Sequence, residues 1–264
     1  MKKPYQDFVV LVTGGSTGLG RAIAVEVAIR GAATVIINYA RSADEAEETA
    51  RLVRAKGAQA VLVQGDVAQD ADCRRIAEAA QPFGHLDALF NNAGTTRFAA
   101  HADMEAVSAQ DFHDIYAVNV VGAFQMVRAC RTLLEAAPQP GAVINTASIA
   151  GIMGIGSSVP YAASKGAMNI MTLSLARALA PKIRVNAVCP GFIDTPWFGK
   201  GMSEQAVAGL RANAAASTPL QVASTADDIA ASAVFLGSPA SRHITGETLV
   251  VDGGTHLGSA RRGR

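Results

Sequence analysis

Tyr161 and Lys165 stand four residues apart in Tyr161-Ala162-Ala163-Ser164-Lys165, a spacing that places both side chains on one face of a helix. A phenol with a free pKa of about 10 is neutral at pH 7, and a neighbouring ammonium favours its phenolate. Lys165 is therefore expected to draw Tyr161 toward working pH, so that Tyr161 donates a proton to a carbonyl oxygen or removes one from a hydroxyl. Alone, this pair is a weak pattern that arises readily by accident. Ser148 strengthens it, because it follows the apolar run 142–147, where a hydroxyl at the carboxyl edge of a sheet would meet the reacting oxygen. Asn119 sits inside an apolar helical stretch, Tyr116-Ala117-Val118-Asn119-Val120, where an amide needs a partner, structural or chemical.

A second group lies near the start of the chain. Thr13-Gly14-Gly15-Ser16-Thr17-Gly18-Leu19-Gly20 separates the apolar run 8–12 from a helix-forming stretch, 21–30. Glycines let the backbone approach a ligand closely, and the free N–H groups of a following helix attract a pyrophosphate. A bare tight turn also uses glycines; the strand before and the helix after favour a nucleotide. The second apolar run ends in Asn38-Tyr39-Ala40-Arg41-Ser42. An acidic residue there would hold the ribose of NAD, and this stretch contains none. Arg41 suits a 2′-phosphate instead, so NADP(H) is expected, with NAD(H) the alternative. Arg41 as a solvated side chain, and Asn38 and Ser42 as phosphate contacts or helix caps, stay open.

The elements that must position these groups are legible as short apolar runs at 8–12, 34–37, 60–63, 86–90, 142–145, 183–187 and 248–251. Helix-length segments such as 42–56 and 70–80 alternate with them, which predicts stacked βαβ units in an α/β, doubly wound, mostly parallel sheet of seven strands with helices on both faces. One domain is expected over residues 1–258, followed by a short flexible basic tail, 259–264. The segment 196–218 reads as a partly helical lid or as an ordinary connecting helix.

Half of the 264 residues are hydrophobic and the formal net charge is +1, which disfavours disorder and a nucleic-acid surface. Cys73, Cys130 and Cys189 are odd in number and outside any metal-ligand spacing, so neither disulfides nor a metal site is expected, and a reducing cytoplasm suits them. The first apolar run is too short for a secretory signal, and no run approaches the roughly 18 to 20 residues of a membrane span, so a soluble protein is expected.

With Asn91-Asn92-Ala93-Gly94, Pro190-Gly191 and Val251-Asp252-Gly253-Gly254, these motifs fall in the order and approximate spacing of the short-chain dehydrogenase/reductase family, which the chain resembles over nearly its whole length. The resemblance implies a Rossmann-like oxidoreductase with Asn119, Ser148, Tyr161 and Lys165 as its catalytic group. Ser148 would orient the substrate oxygen and Tyr161 exchange its proton. Lys165 would hold the nicotinamide ribose and lower the tyrosine pKa, and Asn119 would support a water-linked proton path. It further implies cofactor contacts from Gly14, Ser16, Thr17, Gly18, Leu19 and Gly20, from Asn38, Tyr39, Arg41 and Ser42, and from Asp66 and Val67 at the adenine. Asn92, Ala93 and Gly94, then Pro190, Gly191, Ile193 and Thr195, would complete the cofactor channel.

The substrate pocket is expected to draw on Ile149, Met153, Trp197, Phe198 and Met202, with Arg97 as the nearby charged candidate; this mainly apolar set suits a hydrophobic or extended carbonyl compound, though apolar residues also pack lids. Within the family, residues 38–42 and 92–97 look most like 3-oxoacyl-[acyl-carrier-protein] reductases. Arg128, Arg131 and Arg177 lie where such enzymes meet an acyl-carrier protein, although Thr132 stands where a first docking arginine is expected. The resemblance also implies a homotetramer built through the helices bearing Asn119 and Tyr161. Three readings follow: an NADP(H)-dependent carbonyl reductase, including 3-oxoacyl thioesters; an NAD(P)-dependent dehydrogenase of a sugar, alcohol or steroid; and a catalytically silent nucleotide-binding protein.

Overall fold

A computed structural model describes residues 3–200 and 203–258. The chain opens with β1 (Val9–Val12), α1 (Gly18–Ile29), β2 (Thr34–Tyr39), α2 (Ala43–Ala55), β3 (Gln59–Gln64), α3 (Asp70–Glu78) and β4 (Ala88–Asn91). It continues through α4 (Ala109–Tyr116), a π-helical turn at Ala117–Gly122, α5 (Ala123–Glu135), β5 (Gly141–Thr146), α6 (Ala150–Met153), α7 (Val159–Leu179) and β6 (Ile183–Pro190). It closes with β7 (Ile193–Asp194), α8 (Glu204–Ser217), β8 (Ser224–Thr225), α9 (Ala226–Gly237) and β9 (Thr248–Val251).

Seven strands form one parallel sheet in the order β3-β2-β1-β4-β5-β6-β9, the doubly wound arrangement that the alternating pattern predicts. The chain runs outward from β1 through β2 to β3 and then returns to the other side of β1 for β4. That reversal opens a crevice at the carboxyl ends of β1 and β4, where ligands bind in such sheets. Side chains alternate across the sheet. Val10 and Val12 join Ile23 and Val27 of α1 and Ile229 and Val234 of α9 on one face. Val9 and Leu11 join Ile76 of α3, Met126 and Leu134 of α5 and Leu179 of α7 on the other. Each such buried aliphatic contributes roughly 1.5 to 3 kcal/mol, which fixes the register that aims the strand ends.

Local signals set the helices. In α2, Ala46, Thr49, Ala50 and Val53 form the buried stripe, Asp44 and Glu45 lie in the first turn and Arg54 in the last, matching the helix dipole. A capping box between Ser108 and Asp111 starts α4. Ser158 caps α7, with Pro160 in its first turn, so the long helix begins one residue pair before Tyr161. Gly151 and Gly166 let α6 and α7 touch, since a Cβ on Gly151 would fall 2.4 Å from the Lys165 carbonyl carbon. The segment 196–218 becomes a short 3-10 turn, Phe198–Lys200, and α8; only Ala214 of α8 is buried. The short pair β7–β8 has no counterpart in the expected strands, because two-residue strands carry no periodicity. Met202 and the basic tail 259–264 lie outside the described residues. Among the described residues no helix is long and apolar enough to cross a membrane.

Candidate active site

The glycine-rich turn is braced from below. Gly14 and Gly18 have φ of +60° and +54°, a conformation that favours glycine. Asn38, only 2 % exposed, accepts the Gly14 N–H on Oδ1 at 3.3 Å and donates Nδ2 to the Gly65 carbonyl at 2.9 Å, tying the turn to the end of β3. Thr13 Oγ1 accepts the N–H groups of Asn92 and Ala93, each at 3.0 Å, and the Asn92 amide donates to the Thr13 and Gly14 carbonyls. Arg21 bonds the Ser16 carbonyl and Thr49 Oγ1, joining the turn to α2. Thr13 and Arg21 were not among the expected site residues; their partners are 79 and 28 positions distant, beyond any local pattern. Thr17, the N-cap of α1, makes no side-chain capping bond, so the first-turn N–H groups have no side-chain partner.

At the far end of the crevice, Ser148 stands two residues beyond β5. Its hydroxyl accepts from the Ala150 N–H at 3.1 Å. Lys165, 4 % exposed, donates Nζ to the Thr146 carbonyl at 2.6 Å and lies 5.6 Å from the centre of the Tyr161 ring. Tyr161 keeps some exposure to the cleft, yet burial pushes its phenol up to about 12, with the Ser148 hydroxyl pulling it partly back and Cys189 adding to the rise. Burial also draws Lys165 down to about 8, against a small opposing effect of Cys189. Desolvation of the phenolate sets the direction of that shift, and the opposing pull comes from the Ser148 hydroxyl.

Asn119 is fully buried in the π-helical turn. Its Oδ1 accepts the Thr95 N–H at 2.8 Å and its Nδ2 donates to the Thr95 carbonyl and to Ser164 Oγ, each at 3.0 Å. Ser164 in turn donates to the Tyr161 carbonyl at 2.7 Å. The amide is therefore a brace between the loop after β4 and the turn of α7 that carries Tyr161, and it stands behind the cleft wall.

A cleft of about 540 Å³ joins the two ends. It is lined by Gly14, Ser16, Thr17, Gly18 and Leu19, then by Asn38, Arg41 and Ser42, then by Asp66 and Val67. Asn92, Ala93 and Gly94 follow, with Ser148, Tyr161 and Lys165, and finally Pro190, Gly191, Ile193, Thr195, Trp197 and Phe198. Gly20 and Tyr39 lie off the cleft; Gly20 is needed for packing, since a Cβ there would come 2.2 Å from the Gly14 carbonyl oxygen. Arg97 is held outside by the Ala106 carbonyl at 3.1 Å and by Asp111 at 3.5 Å. Ile149 is buried and Met153 is 39 % exposed, and neither lines the cleft.

Trp197 stands 6.4 Å from the Tyr161 ring, and Phe198 stacks on Phe192 at 5.1 Å, giving this end an aromatic wall. One unexpected lining residue is Glu45, which brings a carboxylate to the stretch where residues 38–42 have none.

The cradle fits a dinucleotide. Gly94 lines the cleft, where an added Cβ would meet Asn119 Oδ1 at 3.5 Å and Lys165 Nζ at 3.9 Å. Among the described residues no cluster of metal-ligating side chains occurs.

Residues 14–256 match the family model described as enoyl-(acyl carrier protein) reductase. The chain is 39 % identical over 250 residues to a protein from Streptomyces violaceoruber named as ketoacyl reductase 2 of the granaticin polyketide synthase, with 94 % of this chain and 96 % of the relative covered. It is 35 % identical over 249 residues to the 3-oxoacyl-[acyl-carrier-protein] reductase FabG of Staphylococcus epidermidis, covering 94 % and 98 %. Among solved structures, a short-chain dehydrogenase from Burkholderia cenocepacia J2315 in complex with NADP superposes with a TM-score of 0.84 at 33 % identity, over 96 % of this chain and 99 % of that one.

Proposed function

The chain belongs to the short-chain dehydrogenase/reductase family of oxidoreductases, and from that membership we propose that it uses NADP(H) to interconvert a carbonyl and a hydroxyl carbon at Tyr161. The observation that carries this reading is the convergence of Ser148, Tyr161 and Lys165 at one end of a cleft whose other end is the glycine-rich turn and Arg41. Arg41 is exposed and takes part in no ion pair among the described residues, which leaves its guanidinium available to a 2′-phosphate.

When bound, the nicotinamide supplies or accepts the hydride. The glycine turn and the first turn of α1 would hold the pyrophosphate, and Lys165 with Gly94 would hold the nicotinamide ribose. Ser148 hydrogen-bonds the substrate oxygen and orients it toward the Tyr161 hydroxyl. Tyr161, neutral at pH 7, donates its proton to that oxygen in reduction and recovers it from solvent. Lys165 stays cationic below about 8 and favours the transient phenolate. Asn119 holds Thr95 and the Tyr161 turn in place.

Trp197 and Phe198 favour an apolar or extended ketone, and the names of the relatives point to 3-oxoacyl thioesters. Of the arginines expected at a carrier-protein surface, Arg128 pairs with Asp70 and Arg131 with Glu135; Arg177 is in no ion pair among the described residues and offers an uncompensated charge. Val121, Phe124, Ile170 and Leu173 are exposed apolar residues on the π-helical turn, α5 and α7, a face suited to burial by further copies in a homotetramer. Light scattering showing only monomer would contradict that assembly. Three free, buried cysteines suit a reducing cytoplasm.

The deciding experiment follows the nicotinamide absorption band with a panel of ketones, 3-oxoacyl thioesters and alcohols, each with NADP(H) and NAD(H). Turnover of a carbonyl with NADPH is expected. Nucleotide binding without turnover on any substrate would favour the silent nucleotide-binding reading.

A further inference from the structure

Arg41 and Ser42 end the loop after β2, and Glu45, in the first turn of α2, lines the same wall of the cleft. Its backbone is pinned. Arg21 donates Nη2 to the Glu45 carbonyl at 3.1 Å, and Thr49 Oγ1 bonds both that carbonyl and the Ser16 carbonyl, at 3.0 and 2.9 Å. The first turn of α2 is thereby fixed against the glycine-rich turn, and the Glu45 side chain cannot withdraw with its backbone. Its neighbours Glu47 and Glu48 are neutralised by Arg54 and Arg51. The Glu45 carboxylate, by contrast, takes part in no ion pair among the described residues, and neither does Arg41. Ser42 makes no side-chain capping bond, so its hydroxyl is also uncommitted. Two opposite charges thus lie on one wall, four positions apart in sequence and in no ion pair with each other, with the Arg21 guanidinium against the Glu45 carbonyl.

We propose that Glu45 is a cofactor-selecting residue that opposes Arg41: its carboxylate repels a 2′-phosphate and offers an acceptor to a ribose 2′-hydroxyl. The inference rests on the dinucleotide reading of the cleft. Arg41 alone would favour NADP(H) strongly. With Glu45 beside it, the preference narrows and NAD(H) remains usable. Both charges are solvent-exposed, so the repulsion is modest and screened over a Debye length of about 10 Å at 0.1 M salt.

The test is calorimetric titration of the full chain, wild type and Glu45→Gln, with NADP+ and with NAD+, at low and high salt. Glu45→Gln is expected to tighten NADP+ by about three- to tenfold at low salt, to leave NAD+ unchanged or weaker, and to lose most of the gain at about 0.5 M salt. Equal tightening of both nucleotides, no change in either, or weaker NADP+ binding overturns the role of Glu45. Arg41→Ala separates this from the underlying reading: it should weaken NADP+ selectively. Equal loss of both nucleotides would overturn the placement of the 2′-phosphate on this wall, and with it the role of Glu45. Binding of neither nucleotide by the folded wild-type chain would overturn the dinucleotide reading itself.

Discussion

Lys165 lies 5.6 Å from the centre of the Tyr161 ring while its ammonium donates to the Thr146 carbonyl at 2.6 Å, so the cation is held beside the phenol by the end of β5. This geometry keeps a positive charge next to a tyrosine whose phenol burial has pushed up to about 12. At pH 7 the pair therefore rests as neutral tyrosine and cationic lysine, the form suited to protonating a carbonyl oxygen.

Tyr161→Phe removes the proton donor and retains the ring that packs near Trp197. Turnover on a verified carbonyl substrate should fall by about 10²- to 10⁴-fold, with NADP+ affinity changed by less than about threefold. Steady-state kinetics paired with nucleotide titration checks this. Full turnover in the variant would show that another group supplies the proton.

Burial draws Lys165 from its ordinary 10.5 down to about 8. Between those two values the unfolded chain binds the extra proton, so this group makes the fold more stable as pH rises from about 8 to about 10.5 and exerts a constant cost below that window. Carbonyl reduction should decline over the same rise, as Lys165 loses its charge. Lys165→Met should remove the cost, on the order of 1 to 3 kcal/mol at pH 7, while abolishing efficient turnover. Thermal unfolding of both proteins at pH 7 and pH 9.5 reads the sign; an identical pH slope in the variant would refute it.

Gly20 and Gly94 should respond differently to the same methyl group. A Cβ at Gly20 would fall 2.2 Å from the Gly14 carbonyl oxygen, so Gly20→Ala should cost more than about 2 kcal/mol of stability. At Gly94 the nearest atoms are at 3.5 and 3.9 Å, an ordinary contact. Gly94→Ala should therefore fold normally, within about 1 kcal/mol, and lose nucleotide affinity instead. Urea denaturation and nucleotide titration on both variants separate the two effects; normal nucleotide binding in Gly94→Ala would remove that glycine from the cradle.

Arg184, 8 % exposed on β6, donates to the carbonyl of Leu236 in the last turn of α9 and to those of Ser238, Ser241 and Ile244 just beyond it. Burial lowers its pKa from the ordinary value, yet these acceptors satisfy the guanidinium. Arg184→Met leaves them unpaired and should destabilise the chain by about 3 kcal/mol, read as a lower denaturation midpoint with an unchanged slope. Retention of the wild-type midpoint would mean that solvent replaces those bonds at little cost.

The apolar runs, the glycine turn and the Tyr161–Lys165 spacing were readable from the chain because each depends on a local period or on the conformational freedom of single residues. The seven expected strands all form, and their ends converge on one crevice because strand order reverses between β1 and β4. Residues chosen only by proximity in sequence fared differently. Arg97, three positions after Gly94, pairs with Asp111, and Met153 does not line the cleft that Ser148 lines. Neither outcome is encoded in spacing: Arg97 goes where Asp111 and the Ala106 carbonyl hold it, and Met153 sits at the end of α6, 39 % exposed.

What the sequence determined by itself is the layered α/β architecture, the family and the residue types available for proton transfer and phosphate binding, since hydrophobic period and glycine placement act over a few residues. Tertiary structure alone decided that Asn119 braces Thr95 and Ser164, that burial raises Tyr161 and lowers Lys165, and that Glu45 shares a wall with Arg41. Desolvation and charge proximity are set by atoms that packing brings together from distant parts of the chain, and no local pattern carries that information.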